Sequence, residues 1–270
     1  QKIYGSGSGV SFATLQAAAG DSVDNTGGAV DTLLGADSGA GNYRLLYRGG
    51  FGFDTSSIGT NQIASSTISF YGRAAGTQTY LGDTNANIVD FNPANGSNFA
   101  AGDHVNYGTT LYSNTEIAIS ALSSSAYNDF PLNMSGLVNI NGSGNSYFGR
   151  RLKWDVDNNF TGTWVSNVNT NWQSWAADNS GTATDPKLVV EHDARPVISN
   201  IQESGITETS ATISWNTDVS SDSKVSYGTG SGNYTNNTSD ATDVTSHSIS
   251  LSSLSQSTTY YYVVVSYDTS

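Results

Sequence analysis

"TTYYYVVVSYDTS", Thr258 to Ser270, decides how the rest of the chain is read. Val263, Val265 and Tyr267 alternate with Val264, Ser266 and Asp268, the period of two expected of a strand whose side chains point to opposite faces. β-Branched and aromatic residues fill it, as they do on a pleated surface. Such a strand normally has a neighbour on each side, yet the sequence stops where the next strand should begin. Either the natural chain runs on past Ser270, or a strand from another copy fills the gap by strand addition. An open sheet edge is an aggregation hazard, so one of the two is expected.

The same texture extends through the chain. Strand-like runs recur at "NYRLLYRGGFGF" (Asn42 to Phe53), "SSTISFYG" (Ser65 to Gly72), "NTEIAISAL" (Asn114 to Leu122) and "YNDFPLNM" (Tyr127 to Met134), then at "SYFGRRLKW" (Ser146 to Trp154) and "DPKLVVEH" (Asp185 to His192). Clusters of Gly, Asn, Asp and Ser that favour tight turns separate them. Helical periodicity is confined to "FATLQAAAG" (Phe12 to Gly20), enough for two turns. Hydrophobic residues make up 36% and charged residues 12% of the chain, while 11% is aromatic, too much for a disordered segment. These features predict an all-β protein built of sandwiches.

The 23 acidic and 10 basic residues give a net charge of −13. Such a surface repels nucleic-acid backbones and anionic lipid, so neither is an expected partner. The absence of Cys excludes thiol chemistry, disulfides and thiolate zinc sites. No apolar run is long enough to span a membrane as a helix, so no membrane insertion is expected. The first residue is Gln1, read as a processed or artificial start, and "GSGSG" (Gly5 to Gly9) as a flexible leader.

"EHDARPVISN" (Glu191 to Asn200) changes the rhythm, and Pro196 suits an edge-strand start after a linker. The expected organisation is a leader with first strands over residues 1–40, a sandwich over 41–194 ending near Ala194, and a second domain over 195–270. The second domain resembles fibronectin type III, on Pro196, Trp215, Tyr227 and a corner formed by Leu254 with Tyr260 and Tyr262. That resemblance implies seven strands, of which six are visible, so the domain is expected to lack its last. "KVSYGTGSGNY" (Lys224 to Tyr234) also resembles the modules placed before purple acid phosphatase domains, a likeness that transfers no active site.

Residues 41–194 resemble the surface-protein sandwich family called DNRLRE, or disaggregatase-related. Arg48, Phe51, Phe53, Asp54, Ser57 and Ile58 occupy that family's first phrase, Ile68, Phe70 and Tyr71 its second, and Pro186, Leu188 and Val190 its last. "YNDFPLNMSGLVNINGSGNSYFGRRLKWD" corresponds to its middle. The resemblance implies a jelly-roll-like module on a secreted or cell-surface protein, with polysaccharide as a partner for some members.

Catalysis by acid and base needs two carboxyls facing one cleft, whereas Asp21, Asp24, Asp37 and Asp83 lie in turn contexts. His104, His192 and His247 fall in unrelated contexts, read as surface or linker positions, and no nucleophile elbow accompanies the many serines. Catalytic residues are therefore expected to be none. In "WDVDNNFTG", Asp155, Asp157 and Asn159 recur at every second residue, a spacing of hard oxygen ligands that suits a structural calcium. Phe160 stands where the calcium loop wants Gly, and a polar hairpin tip is the competing reading. "FTGTWVSNVNTNWQSWAAD" places Trp164, Trp172 and Trp175 in an Asn-rich stretch, which reads either as a platform for stacking on sugar rings or as core. Trp154 is read as core. The functional expectation is a non-catalytic extracellular structural or adhesive protein, such as a filament subunit polymerising through strand addition, with Gln1 to Phe12 as one donor. A carbohydrate-binding module pair, or an accessory part of a larger glycan-active enzyme, is the alternative.

Overall fold

The computed structural model describes residues 2–24, 28–73, 77–96, 98–177, 181–193 and 195–267, with the side chains of residues 2–8 outside that description. Ala194, the expected boundary, and Asp268–Ser270, the expected end of the last strand, lie outside the described residues. The chain divides into two compact units, one formed by residues 1–59 and 63–191 and the other by residues 60–62 and 192–270.

The first unit carries strands β1 (Lys2–Val10), β2 (Ser22–Asp24), β3 (Ala29–Ala36), β4 (Tyr43–Asp54), β5 (Gln62–Tyr71), β6 (Gln78–Thr79) and β7 (Asn85–Phe91). They are followed by β8 (Tyr107–Leu111), β9 (Ile117–Ala118), β10 (Tyr127–Pro131), β11 (Asn145–Leu152), β12 (Asn169–Trp175) and β13 (Lys187–Asp193). Short helices α1 (Phe12–Ala17), α2 (Met134–Val138) and α3 (Lys153–Val156) punctuate them. One large antiparallel sheet runs β6-β12-β3-β4-β11-β7-β8, with β1 on β4 and β2, and β9 on β7; a second sheet runs β10-β5-β13. The two face each other: Ile68, Phe70 and Phe130 of the small sheet share one core with Leu34, Leu46, Phe51, Phe148 and Trp172 of the large one. Ring centroids of Phe51 and Phe70 lie 4.4 Å apart, and those of Phe70 and Trp172 5.8 Å apart. This is the expected all-β sandwich.

The large sheet is covered on its other face as well. Val89, Phe91, Phe99 and Tyr107 form a separate apolar cluster there. Its seat is made by glycines: a Cβ on Gly50 would stand 2.8 Å from Phe91 and one on Gly149 2.6 Å from Tyr107, so only a bare backbone admits the rings. Burial on both faces explains why β3 and β7 show no alternation in sequence.

Three local expectations are corrected. "GSGSG" is not a flexible leader, because β1 runs through it and pairs with β4 from Lys2↔Gly49 to Ser6↔Leu45. The segment proposed as a donor strand is thus already paired within its own unit. "NTEIAISAL" is not one long strand: only Ile117–Ala118 pair, and a 3-10 turn at Ile119–Ala121 follows. "WDVDNNFTG" is not a hairpin tip, since Lys153–Val156 form a helical turn. The helix read at Phe12 is present, with Ser11 accepting from Thr14 N–H as its cap.

The second unit has four strands: β14 (Ile198–Ser204), β15 (Ala211–Gly228), β16 (Asn236–Leu251) and β17 (Tyr261–Val265). β15 and β16 form a long hairpin whose register breaks between Asn216 and Ser223. Before the break β15 pairs with β14; after it, β15 pairs with β17, from Lys224↔Val265 to Gly228↔Tyr261. Ile213, Trp215, Ile249 and Leu251 from one half meet Val225 and Val264 from the other in a single core. The break therefore folds the hairpin onto itself and makes two layers from two long strands and the shorter β14 and β17. Tyr260 Oη accepts from Ser255 N–H at 3.0 Å while Leu254 packs on the core, locking the connection into β17.

Candidate binding site

The Trp-rich stretch is the first place to look. Trp172 lies on β12, the second strand of the large sheet, and is fully buried between Phe70, Phe130 and the Arg150 guanidinium, whose carbon sits 4.0 Å from the ring centre. No face is left for a sugar, so the carbohydrate reading of Trp172 is corrected: a strand buried on both faces takes large aromatics for packing. Trp164 is half-buried, donating its indole N–H to Asn42 O at 3.0 Å. Trp175 is half-buried beneath Arg73, 4.7 Å from its centre. The three do not form a shared platform. Trp154 is core, as expected.

The calcium reading of Asp155, Asp157 and Asn159 meets a similar correction. On a helical turn, alternate residues do not share a face. Asp155 points inward and is buried, while Asp157 and Asn159 are exposed and Asp157 pairs with Lys153. Asp155 Oδ1 accepts from Arg48 Nη2, Arg151 Nη2 and Gln16 Nε2 at 2.8, 2.9 and 3.0 Å. Its Oδ2 accepts from Arg48 Nε and Arg151 Nε at 2.8 and 2.7 Å. Two guanidinium groups and an amide leave no lone pair for a cation, and they hold the carboxyl well below the usual carboxylate range. Among the described residues no cluster of three or more acidic, His or Cys side chains is placed to hold a metal.

Residues that drew no attention as a sequence dominate this unit. In "GRR", alternation sends Arg150 and Arg151 to opposite faces of β11. Arg151 joins Arg48 around Asp155; Arg150 enters the core. There Arg150 donates to Thr32 Oγ1, Ser174 Oγ and Val30 O, each at 2.7 Å, and burial lowers its pKa to about 9, so it stays charged at neutral pH. His104 is fully buried beside Arg48, with Nδ1 3.0 Å from Ala18 O; desolvation first, and the Arg48 charge second, lower its pKa to about 4. His247 is likewise buried, stacked on Trp215 at 4.9 Å and bonded to Thr217 and Ser223, which corrects the surface reading of both residues. His192 is exposed. A depression of about 370 Å³ overlies Arg48 and Arg151, but every nitrogen of both guanidinium groups already serves Asp155, His104, Gln16 or the backbone of Tyr107 and Gly108. The charges of this buried cluster are spent inside the unit.

The second unit differs. Among the described residues β17 is paired on one side, to β15, and its other edge has no strand beside it. The remaining edges of the unit carry devices that blunt pairing. β14 follows Pro196 and has a bulge between Ser199 and Gln202, and the first half of β16 is polar with Asp240 and Asp243. "YYVVV" has no charge and no bulge, and Tyr261 and Val263 stand exposed on it.

Beside this edge opens a cleft of about 360 Å³. It is lined by the apolar side chains of Ile213, Leu251 and Leu254 and by Tyr227, Tyr260 and Tyr262. Glu203 and Glu208 lie on it as well. Tyr262 Oη donates to Glu203 Oε1 at 2.5 Å, a bond from β17 across to β14 that, with burial, raises the phenol to about 12.

Comparison with known proteins bears on the same unit. Residues 196–270 match the model of the purple acid phosphatase N-terminal domain. This agrees with the likeness carried by Lys224 to Tyr234 and with a β-sandwich fold for the second unit. No curated protein matches the chain. Among solved structures, the chain is similar to a β-glucuronidase from Ruminococcus gnavus in complex with C6-substituted uronic isofagomine, at 9% identity over 82% of this chain and 33% of that one, with a TM-score of 0.21. A putative β-galactosidase from Bacteroides fragilis is 14% identical over 98% of this chain and 34% of that one, with a TM-score of 0.23. The chain spans about a third of the length of these proteins. Similarity at this level fixes no activity for it.

Proposed function

We propose that this chain is a non-catalytic structural or adhesive protein of the cell surface, associating through strand addition at the free edge of β17. The observation that carries the reading is that edge: five uncharged residues, paired on one side, with Tyr261 and Val263 exposed. A backbone row of this kind offers hydrogen bonds to an incoming strand, and alternate side chains give the contact its selectivity. Repeated head to tail, such a contact does not close on itself and builds a filament. The disaggregatase-related resemblance of residues 41–194 and the fibronectin type III resemblance of residues 195–270 support a surface setting. The internal use of Asp155, Arg48, Arg151 and His104 supports a scaffold role for the first unit.

Light scattering and electron microscopy of the purified chain over a range of concentrations test this. Assembly that is lost in the Val263→Lys and Tyr261→Lys variants is expected, because a charge on the edge opposes pairing. A chain that stays monomeric throughout, or variants that assemble like the parent, would overturn the reading.

A further inference from the structure

The cleft beside β17 is built for more than backbone pairing. Three tyrosines line it, residues whose ring faces carry negative charge density, and the two charged side chains lining it, Glu203 and Glu208, are both carboxylates. No cationic side chain is among those lining it. Ile213, Leu251 and Leu254 make part of the lining aliphatic. The surrounding chain, at −13, raises the local concentration of cations. An occupant complementary to all three features has an aliphatic stem ending in a cation, the shape of a lysine side chain.

We infer that the cleft is a receptor for a lysine side chain presented by an extended basic peptide laid along β17. This rests on the strand-addition reading for the presentation of the side chain. The ammonium group would sit among the tyrosine rings and the two carboxylates, Glu203 and Glu208. Tyr262 acts as a positioning residue: its hydroxyl donates to one oxygen of Glu203 and leaves the other oxygen free to accept from the ammonium group. Glu208 is steadied from Gln256 Nε2 at 2.6 Å and keeps its second oxygen free in the same way. The backbone of β17 supplies affinity, and the cleft chooses which side chain faces inward.

The test uses the full chain and a short labelled peptide of alternating valine and threonine with one central lysine, followed by fluorescence anisotropy. The same peptide with norleucine in place of lysine keeps the stem and removes the charge. Weakening of about tenfold on that exchange is expected, equivalent to about 1.4 kcal/mol. Glu203→Gln, an exposed and isosteric change that leaves the fold intact, should erase the preference, and Tyr262→Phe should reduce it. Equal binding of the lysine and norleucine peptides would overturn the cation site while leaving strand addition standing. Binding of neither peptide would overturn both. Displacement of the lysine peptide by a neutral disaccharide would overturn the lysine assignment in favour of a sugar.

Discussion

In the first unit Arg48, Arg150, Arg151 and Asp155 lie buried with their charged groups bonded to neighbours within the same unit, and His104 is buried beside them. In the second unit the core is six residues around Trp215, and the feature that stands out faces solvent: the edge of β17 and the cleft beside it. One unit has closed both faces of its large sheet and spent the charge of its buried cluster internally. The other has kept backbone groups and carboxylates available. The lesson is that polar chemistry at the centre of a fold is weak evidence for a site, because satisfied charges have nothing left to offer a ligand. Exposed backbone beside an aromatic cleft is better evidence, although it involves no unusual residue.

The sharpest way to break the comparison is to unbalance the buried cluster. Asp155→Asn keeps the shape but leaves two guanidinium groups facing each other without a counter-charge, and should destabilise the first unit by about 3–5 kcal/mol. Denaturant unfolding followed at Trp172 should show this, with the unfolding of the second unit, followed at Trp215, unmoved. Equal loss in both units would mean that they are not independent.

Acid should act next. Burial holds His104 at about 4, against an ordinary value near 6.5. As pH falls below about 6.5, the unfolded chain takes up a proton that the folded chain refuses. Stability of the first unit should therefore fall by roughly 3 kcal/mol by pH 4. Asp155, held low by its two arginines, adds to the loss below the usual carboxylate range. Desolvation also lowers His247. Its loss runs in the same direction, and substituting His104 by Gln should flatten the profile of the first unit alone.

Smaller still is the corner of the second unit. Tyr260→Phe removes the acceptor for Ser255 N–H and should be read as a slightly earlier melting of that unit. The smallest effect is expected from calcium. With both oxygens of Asp155 occupied, melting should be the same in chelator and in excess calcium; a rise with calcium concentration would show ligands that this arrangement does not provide.

What was legible in the sequence follows the same division. Alternation in "ISFYG" and "YYVVV" announced β5 and β17, because each has one face toward a core and the other toward solvent or a partly covered surface. Trp215, Leu254 and Tyr260 took their expected places for the same reason. β3, β7 and β12 were hidden, since strands buried on both faces have no polar beat, and β12 reads as an Asn-rich loop. The buried cluster was hidden too, being assembled from α1, β4, β11 and α3, far apart in the chain. The one local signal was "GRRL", two arginines inside an apolar strand, where one of them must face a core. The cleft could not be read at all, because its lining comes from all four strands and from two loops between them, far apart in the chain.

The central claim is that the outer edge of β17, which has no strand beside it among the described residues, accepts an incoming strand. Backbone amide exchange, resolved residue by residue at a dilution where the chain is monomeric, tests it directly, since unpaired edge amides exchange without unfolding. Every second amide of Tyr261–Val265 should exchange far faster than the amides of Phe148–Leu152 in β11, and should become protected when a strand-forming peptide is added. Uniform, slow exchange along β17 in the isolated chain would contradict it.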